Sequence, residues 1–128
     1  RGIDLAAPLN YPVRAFRSGR VARTGTHRGF GRFVELSHGG GLRSLYAHLQ
    51  EVSAREGARV RQGEIIGTVG KTGNARHAWI TPHVHFEVAR DDAPLDPTSV
   101  GLVVANHLYD GVKIVAGPFE ETDGAGGD

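Results

Sequence analysis

The chain has 128 residues, the length of one ordinary domain, and its 39% hydrophobic and 23% charged residues exclude a disordered chain. No apolar run approaches the ~20 residues that cross a bilayer, and a formal net charge of +1 is too balanced to call for a nucleic-acid partner. The absence of Cys excludes disulfides and thiolate ligands, so any metal must be held by histidine and carboxylate. With 19 glycines, the chain is expected to be rich in turns and poor in long helix.

Near the start, Ile3 and Leu5 alternate with Asp4, so an apolar face and a carboxylate lie on opposite sides of a short strand that Pro8 ends. Tyr11 to Ala15 and Arg20 to Thr24 are strand candidates around a Ser18-Gly19 turn. His27 to Gly31 reads as a glycine-rich turn, Phe33 to Ser37 as a strand, and Gly39-Gly40-Gly41 as a hairpin tip. Leu42 to Leu49 alternates again, with Leu45, Ala47 and Leu49 on one face and Ser44, Tyr46 and His48 on the other. Glu51 to Glu56 is expected to be a helical turn or loop. Residues 60–70 read as two short strands broken by glycines, and Lys71 to Ile80 as a polar loop carrying Trp79. In His83 to Val88 the apolar Val84, Phe86 and Val88 take one face, while His83, His85 and Glu87 take the other. A turn at Asp91 to Pro94 and a connector from Leu95 follow. Gly101 to Ala105 and Val112 to Ala116 are further strand candidates, and residues 122–128 are expected to be a disordered tail.

Many short strands with glycine turns at close spacing predict an all-β barrel or sandwich. A faint echo exists between Val13 to Val21 and Val60 to Ile65, each a β-branched residue, a turn glycine and another strand. The unequal spacings do not make a repeat.

Chemistry rests on Asp4, His48, His83 and His85. A strand that buries one face and presents paired imidazoles on the other suits a metal or a proton-transfer site, and zinc with an open position for water accepts histidine and aspartate ligands. Taken singly, Asp4 reads as a turn carboxylate and His48 as a core histidine bonded to a carbonyl. Other signatures fail. Gly70-Lys71-Thr72 looks like the end of a phosphate-binding loop, but Ile65 stands where that motif needs glycine. No helical H-E-x-x-H and no G-x-S-x-G elbow occurs.

Nine short motifs in order make the resemblance specific. They are Gly2-Ile3-Asp4, Pro12-Val13-x-Ala15, Gly19-x-Val21, Gly29-Phe30-Gly31, Val34-x-Leu36-x-His38, Tyr46-Ala47-His48-Leu49, Val60-x-x-Gly63-x-x-Ile66-Gly67, Gly70-x-Thr72-Gly73 and Pro82-His83-Val84-His85-Phe86-Glu87. Over residues 1 to about 90 the chain resembles the lysostaphin-type (LytM-like) zinc endopeptidases that cut peptide cross-links in bacterial peptidoglycan. The resemblance implies a glycine-rich β-barrel-sandwich of the duplicated hybrid motif type, with an open groove. It implies Zn²⁺ held by Asp4 and His85, with His48 and His83 as the catalytic pair. Tyr46 and Trp79 are expected to line the groove, Tyr46 by its alternation with His48.

The family's first ligand, a histidine, would fall one residue before Arg1. The chain therefore reads as processed or cut through that motif, with weak zinc binding until the histidine is restored. His27 and His38 are candidate substitutes, though neither is at the family position. Residues 1–100 would form the peptidase domain and 101–121 extra strands or a connector. The loop from Asn74 to Thr81 departs from the family's small residues by carrying Arg76, His77 and Trp79. The implied substrate is peptidoglycan peptide, and the implied location is the cell envelope, periplasmic or extracellular. Two other readings compete. One is a non-catalytic LytM-like module that binds and activates a separate cell-wall hydrolase, which the retention of four site residues opposes. The other is a carrier or phosphotransfer domain, for which Lys71 is the only turn lysine.

Overall fold

A computed structural model describes residues 2–100, 102–105 and 113–116. The alternation in the sequence is realised as nine short strands joined antiparallel into one sheet. They are β1 (Ile3–Ala6), β2 (Pro12–Arg14), β3 (Gly19–His27), β4 (Gly31–Ser37), β5 (Leu42–Val52), β6 (Arg59–Val60), β7 (Ile65–Val69), β8 (His83–Arg90) and β9 (Ala93–Leu95). The main path runs β1-β8-β5-β4-β3-β6, with β7 bridging β5 to β2 and β9 added to β8. The sheet is not closed, and among the described residues helix is confined to two short 3₁₀ segments, Gly73–Arg76 and Pro97–Val100. The expected all-β class is therefore what the chain adopts. Two further strands, β10 (Leu102–Ala105) and β11 (Lys113–Ala116), pair with each other apart from the main sheet. The expected tail at 122–128 lies outside the described residues, as do Gly101 and Val112. Among the described residues no helix is long and apolar enough to cross a membrane.

One side of the sheet folds over a core in which Val13, Phe16, Val34, Leu36, Tyr46, Leu49, Ile66, Val69, Val84 and Phe86 are fully buried. The apolar face predicted for β8 is the face that packs here. Phe86 sits between Phe16 and Tyr46, at ring separations of 5.4 and 5.2 Å. The two echoing segments meet each other. Ala15 donates to the Glu64 carbonyl at 2.9 Å and accepts from Gly63 at 2.8 Å, while Val21 exchanges equivalent bonds with Ala58 and Gly57.

Turn chemistry matches local need. Gly39, Gly40 and Gly41 all take positive φ at the β4–β5 tip, and Asp91 and Asp92 (φ 51° and 68°) make the tight β8–β9 turn. The expected break after Leu49 does not occur. Glu51 and Val52 continue β5, because Glu51 and Val52 pair with Thr68 and Gly67 of β7.

The larger departure is inside β5. Ser44 and Tyr46 face the core as alternation requires, but the next core residue is Leu49, an odd step of three. His48 absorbs the extra residue with a left-handed φ of 64°, and the register against β4 and β7 shifts on either side of it. Tyr46 and His48 thus leave on opposite sides of the sheet. Tyr46, expected in the groove, is a core residue with no exposed surface. Its hydroxyl accepts from Phe16 N and shares a hydrogen bond with Ser44 Oγ, each at 3.0 Å.

Candidate metal and catalytic centre

The centre forms where β1, β5 and β8 meet on the outer face. Strand pairing sets Asp4 directly opposite His85, and His85 directly opposite Ala47. The small Ala47 leaves room over the sheet, and the kink at the next residue turns the His48 ring into it. The His48 ring centroid lies 5.0 Å from that of His83 and 6.3 Å from that of His85. All four sequence-predicted chemical residues are therefore brought together from three strands far apart in the chain.

His85 is held at both ring nitrogens, His48 and His83 at one each. His85 Nδ1 meets Asp4 Oδ1 at 2.8 Å, and its Nε2 donates to Glu87 Oε2 at 2.8 Å. His83 Nδ1 donates to the Thr81 carbonyl at 2.8 Å, leaving Nε2 turned toward Asp4 Oδ1 at 3.9 Å. His48 Nδ1 donates to the Thr72 carbonyl at 2.8 Å, so the neutral ring presents Nε2 as an acceptor. Burial lowers the His48 pKa, and His83 and His85 push the same way. The Thr72 carbonyl and Asp4 oppose them. The net shift favours the neutral ring.

The loop between Thr72 and Thr81 supplies a carbonyl at each end, one for His48 and one for His83. Its close approach to the β3–β4 turn depends on two glycines of positive φ. A Cβ on Gly31 would collide with Thr72, and one on Gly73 with Gly31. Thr72 Oγ1 adds bonds to Leu49 O at 2.9 Å and Arg32 N at 3.0 Å, tying the loop to β4 and β5. Thr72, part of the run that imitates a phosphate loop in sequence, thus holds His48.

Trp79 belongs to the same loop. It is 80% exposed and stacks on His77 at 4.6 Å between ring centroids. The two substitute ligands are engaged elsewhere. His38 is buried between Ser18 O and Ser44 Oγ, both at 2.8 Å, and His27 Nδ1 caps the turn by accepting from Gly29 and Phe30. Residue-type reasoning omitted Glu87, although its alternation with His83 and His85 was the available signal. The Thr72 and Thr81 contacts are through backbone atoms, which residue identity does not encode.

The Asp4 carboxylate and the His85 Nδ1 are donors of the kind zinc takes. The Glu87 contact fixes the His85 ring, as outer partners of metal-binding imidazoles do. Among the described residues no group of three or more His, Cys, Asp or Glu side chains is placed to hold a metal ion.

Residues 1–97 match the model of Peptidase family M23, and the chain belongs to that family. It is 44% identical over 101 residues to the DD-carboxypeptidase/endopeptidase Mpg of Neisseria meningitidis, a match covering 79% of this chain and 22% of that protein. The chain therefore spans about a fifth of that relative's length. Among solved structures, the catalytic domain of the antimicrobial peptidase lysostaphin from Staphylococcus simulans superposes with a TM-score of 0.68 at 30% identity, covering 77% of this chain and 75% of that one. A zinc containing peptidase from Vibrio cholerae gives a TM-score of 0.68 at 30% identity, covering 74% of this chain and 28% of that one.

Proposed function

We propose that this domain is a zinc-dependent endopeptidase that hydrolyses peptide bonds in bacterial peptidoglycan, in cross-links or stem peptides, at the cell envelope. The observation that carries this reading is the meeting of the Asp4 carboxylate with His85 Nδ1 across β1 and β8, beside two imidazoles that each present Nε2. Family membership and the peptidase relatives support the same class of chemistry.

Asp4 and His85 would hold the metal, with Glu87 fixing the His85 ring. The family's first ligand is a histidine whose position falls one residue before Arg1, so the residue encoded there decides whether this ligand set is complete. When bound, Zn²⁺ would supply Lewis-acid polarisation of the scissile carbonyl and acidify a water molecule. His48 and His83 do the proton work. One accepts the proton of the attacking water at Nε2, and the other donates to the developing oxyanion or leaving nitrogen. Their Nδ1–H bonds to the Thr72 and Thr81 carbonyls aim Nε2 of both rings at the shared space, as a lone pair on the ring that accepts and as an N–H on the ring that enters protonated at both nitrogens. The exposed Trp79 indole, on the loop that supplies those carbonyls, offers a contact for substrate.

The test is release of peptide from purified peptidoglycan by the full-length protein. Release that a zinc chelator abolishes and added zinc restores is expected. No release from a zinc-loaded protein would replace this reading with the module that activates a separate hydrolase. Zinc stoichiometry, compared with and without the residue before Arg1, checks the third ligand, and equal tight binding would remove it.

A further inference from the structure

The outer face of the sheet carries a second feature beside the centre. Strand register aligns one residue from each of four strands in a row: Arg23 on β3, Glu35 on β4, Leu45 on β5 and Glu87 on β8. This row lies two residues along the strands from the Ala47–His85 pair, or about 7 Å at the rise of an extended chain. A hollow of about 180 Å³ opens over it, lined by Arg23, Phe30, Glu35, Arg43, Leu45 and Glu87. It is continuous with the centre. Phe30 stacks over His85 at 6.4 Å, and Glu87 bonds to the same imidazole.

Its charges balance in number, two guanidiniums and two carboxylates, but are unevenly paired. Arg23 Nε and Arg43 Nη1 share one oxygen of Glu35, at 2.9 and 3.3 Å. Glu87, the other carboxylate on the hollow, is committed to His85. Two guanidiniums thus face one carboxylate, and the contacts with Glu35 use one nitrogen of each. A guanidinium carries five N–H donors in a fork that fits a carboxylate. The Arg23 head also lies over the Phe33 ring at 5.4 Å, which together with Glu35 limits its freedom before any ligand arrives. The apolar Phe30 and Leu45 line the hollow beside the charges.

We infer that Arg23 and Arg43, held by Glu35, form a subsite for a free carboxylate on the peptide substrate, about two residues from the bond that is cut. The inference rests on the endopeptidase reading for its substrate, but not for its binding. An extended peptide lying along the outer face, with its reacting carbonyl at Asp4 and His85, carries its neighbouring side chains over this row. A carboxylate there meets paired guanidiniums, and the matching carboxamide loses the charge-assisted part of the bond.

The experiment uses full-length protein and a cross-linked peptide whose carboxylates are replaced one at a time by carboxamide. One replacement is expected to raise KM roughly tenfold with little change in kcat, the size of a partly exposed charge-assisted bond. Arg23→Gln and Arg43→Gln should each reduce that preference, and the double variant should abolish it. Arg55→Gln, on an exposed turn elsewhere, should keep it. If no peptide is cleaved, the endopeptidase reading fails by itself, and titration calorimetry with the same peptides still reads the subsite. Equal affinity for acid and amide in the wild-type protein overturns the subsite. So does a preference that survives in the folded double variant.

Discussion

The two sides of the β5–β8 pair use polar groups in opposite ways. On the inner side, Ser44, Tyr46 and His38 close on one another and on backbone atoms. His38 reaches Ser44, Ser44 reaches Tyr46, and Tyr46 accepts from Phe16. On the outer side, His48 and His83 each spend one nitrogen on a carbonyl and keep the other toward a shared space. Both sides bury polar atoms, so burial alone does not separate structure from chemistry. The difference is closure. A network whose donors and acceptors are satisfied internally fixes a core, whereas rings held at one end are set up to exchange a proton.

Adjacent residues of β8 sharpen this contrast most. In the full-length protein, His85→Ala should cut peptide release about a thousandfold or more, the rate equivalent of losing several kcal/mol of Lewis-acid stabilisation, with the thermal melt nearly unchanged. Retained zinc-dependent release would break the assignment of His85. Its neighbour Phe86 faces the other way, and Phe86→Ala should cost about 3–5 kcal/mol in denaturant melts by leaving a cavity between Phe16 and Tyr46.

Glu87→Gln probes the outer side more gently. It should weaken zinc about ten- to a hundredfold in a chelator competition, with the fold unchanged. Affinity within twofold of wild type would show that the 2.8 Å contact with His85 has no part in metal binding.

Tyr46→Phe probes the inner side. It should cost about 1–3 kcal/mol at neutral pH by leaving Phe16 N without its acceptor. Burial raises the Tyr46 pKa above its ordinary value of 10.0, so the folded state keeps the phenol neutral. That contribution is complete below about pH 10 and falls as pH rises further, because the unfolded chain then ionises more readily than the folded one. Stability measured from pH 8 to 11 should therefore decline more steeply in wild type than in Tyr46→Phe. Parallel curves would mean that the phenol is not held neutral by the core.

Much of the site was legible from spacing. The β1 and β8 alternations placed Asp4 and the His83–His85 pair on the polar faces of their strands, and antiparallel pairing of β1 with β8 set those faces side by side. The same reasoning failed at Tyr46. Periodicity assumes that every residue of a strand repeats one conformation, and a single left-handed residue at His48 reverses the faces beyond it. The Thr72 and Thr81 carbonyls were not legible because any residue supplies a carbonyl. Only the glycines at 31 and 73 hinted that a loop must come close.

By itself, the sequence determined the all-β class, the turns, the inward face of β8 and the chemical character of a carboxylate–imidazole centre. These follow from local alternation and from residue types that few other roles explain. The tertiary structure decided that His48 joins the centre while Tyr46 joins the core. It also decided that Glu87 backs His85 and that Arg23 and Arg43 converge on Glu35. Those outcomes depend on register between strands and on one backbone kink, which are properties of the assembled sheet and of no single segment.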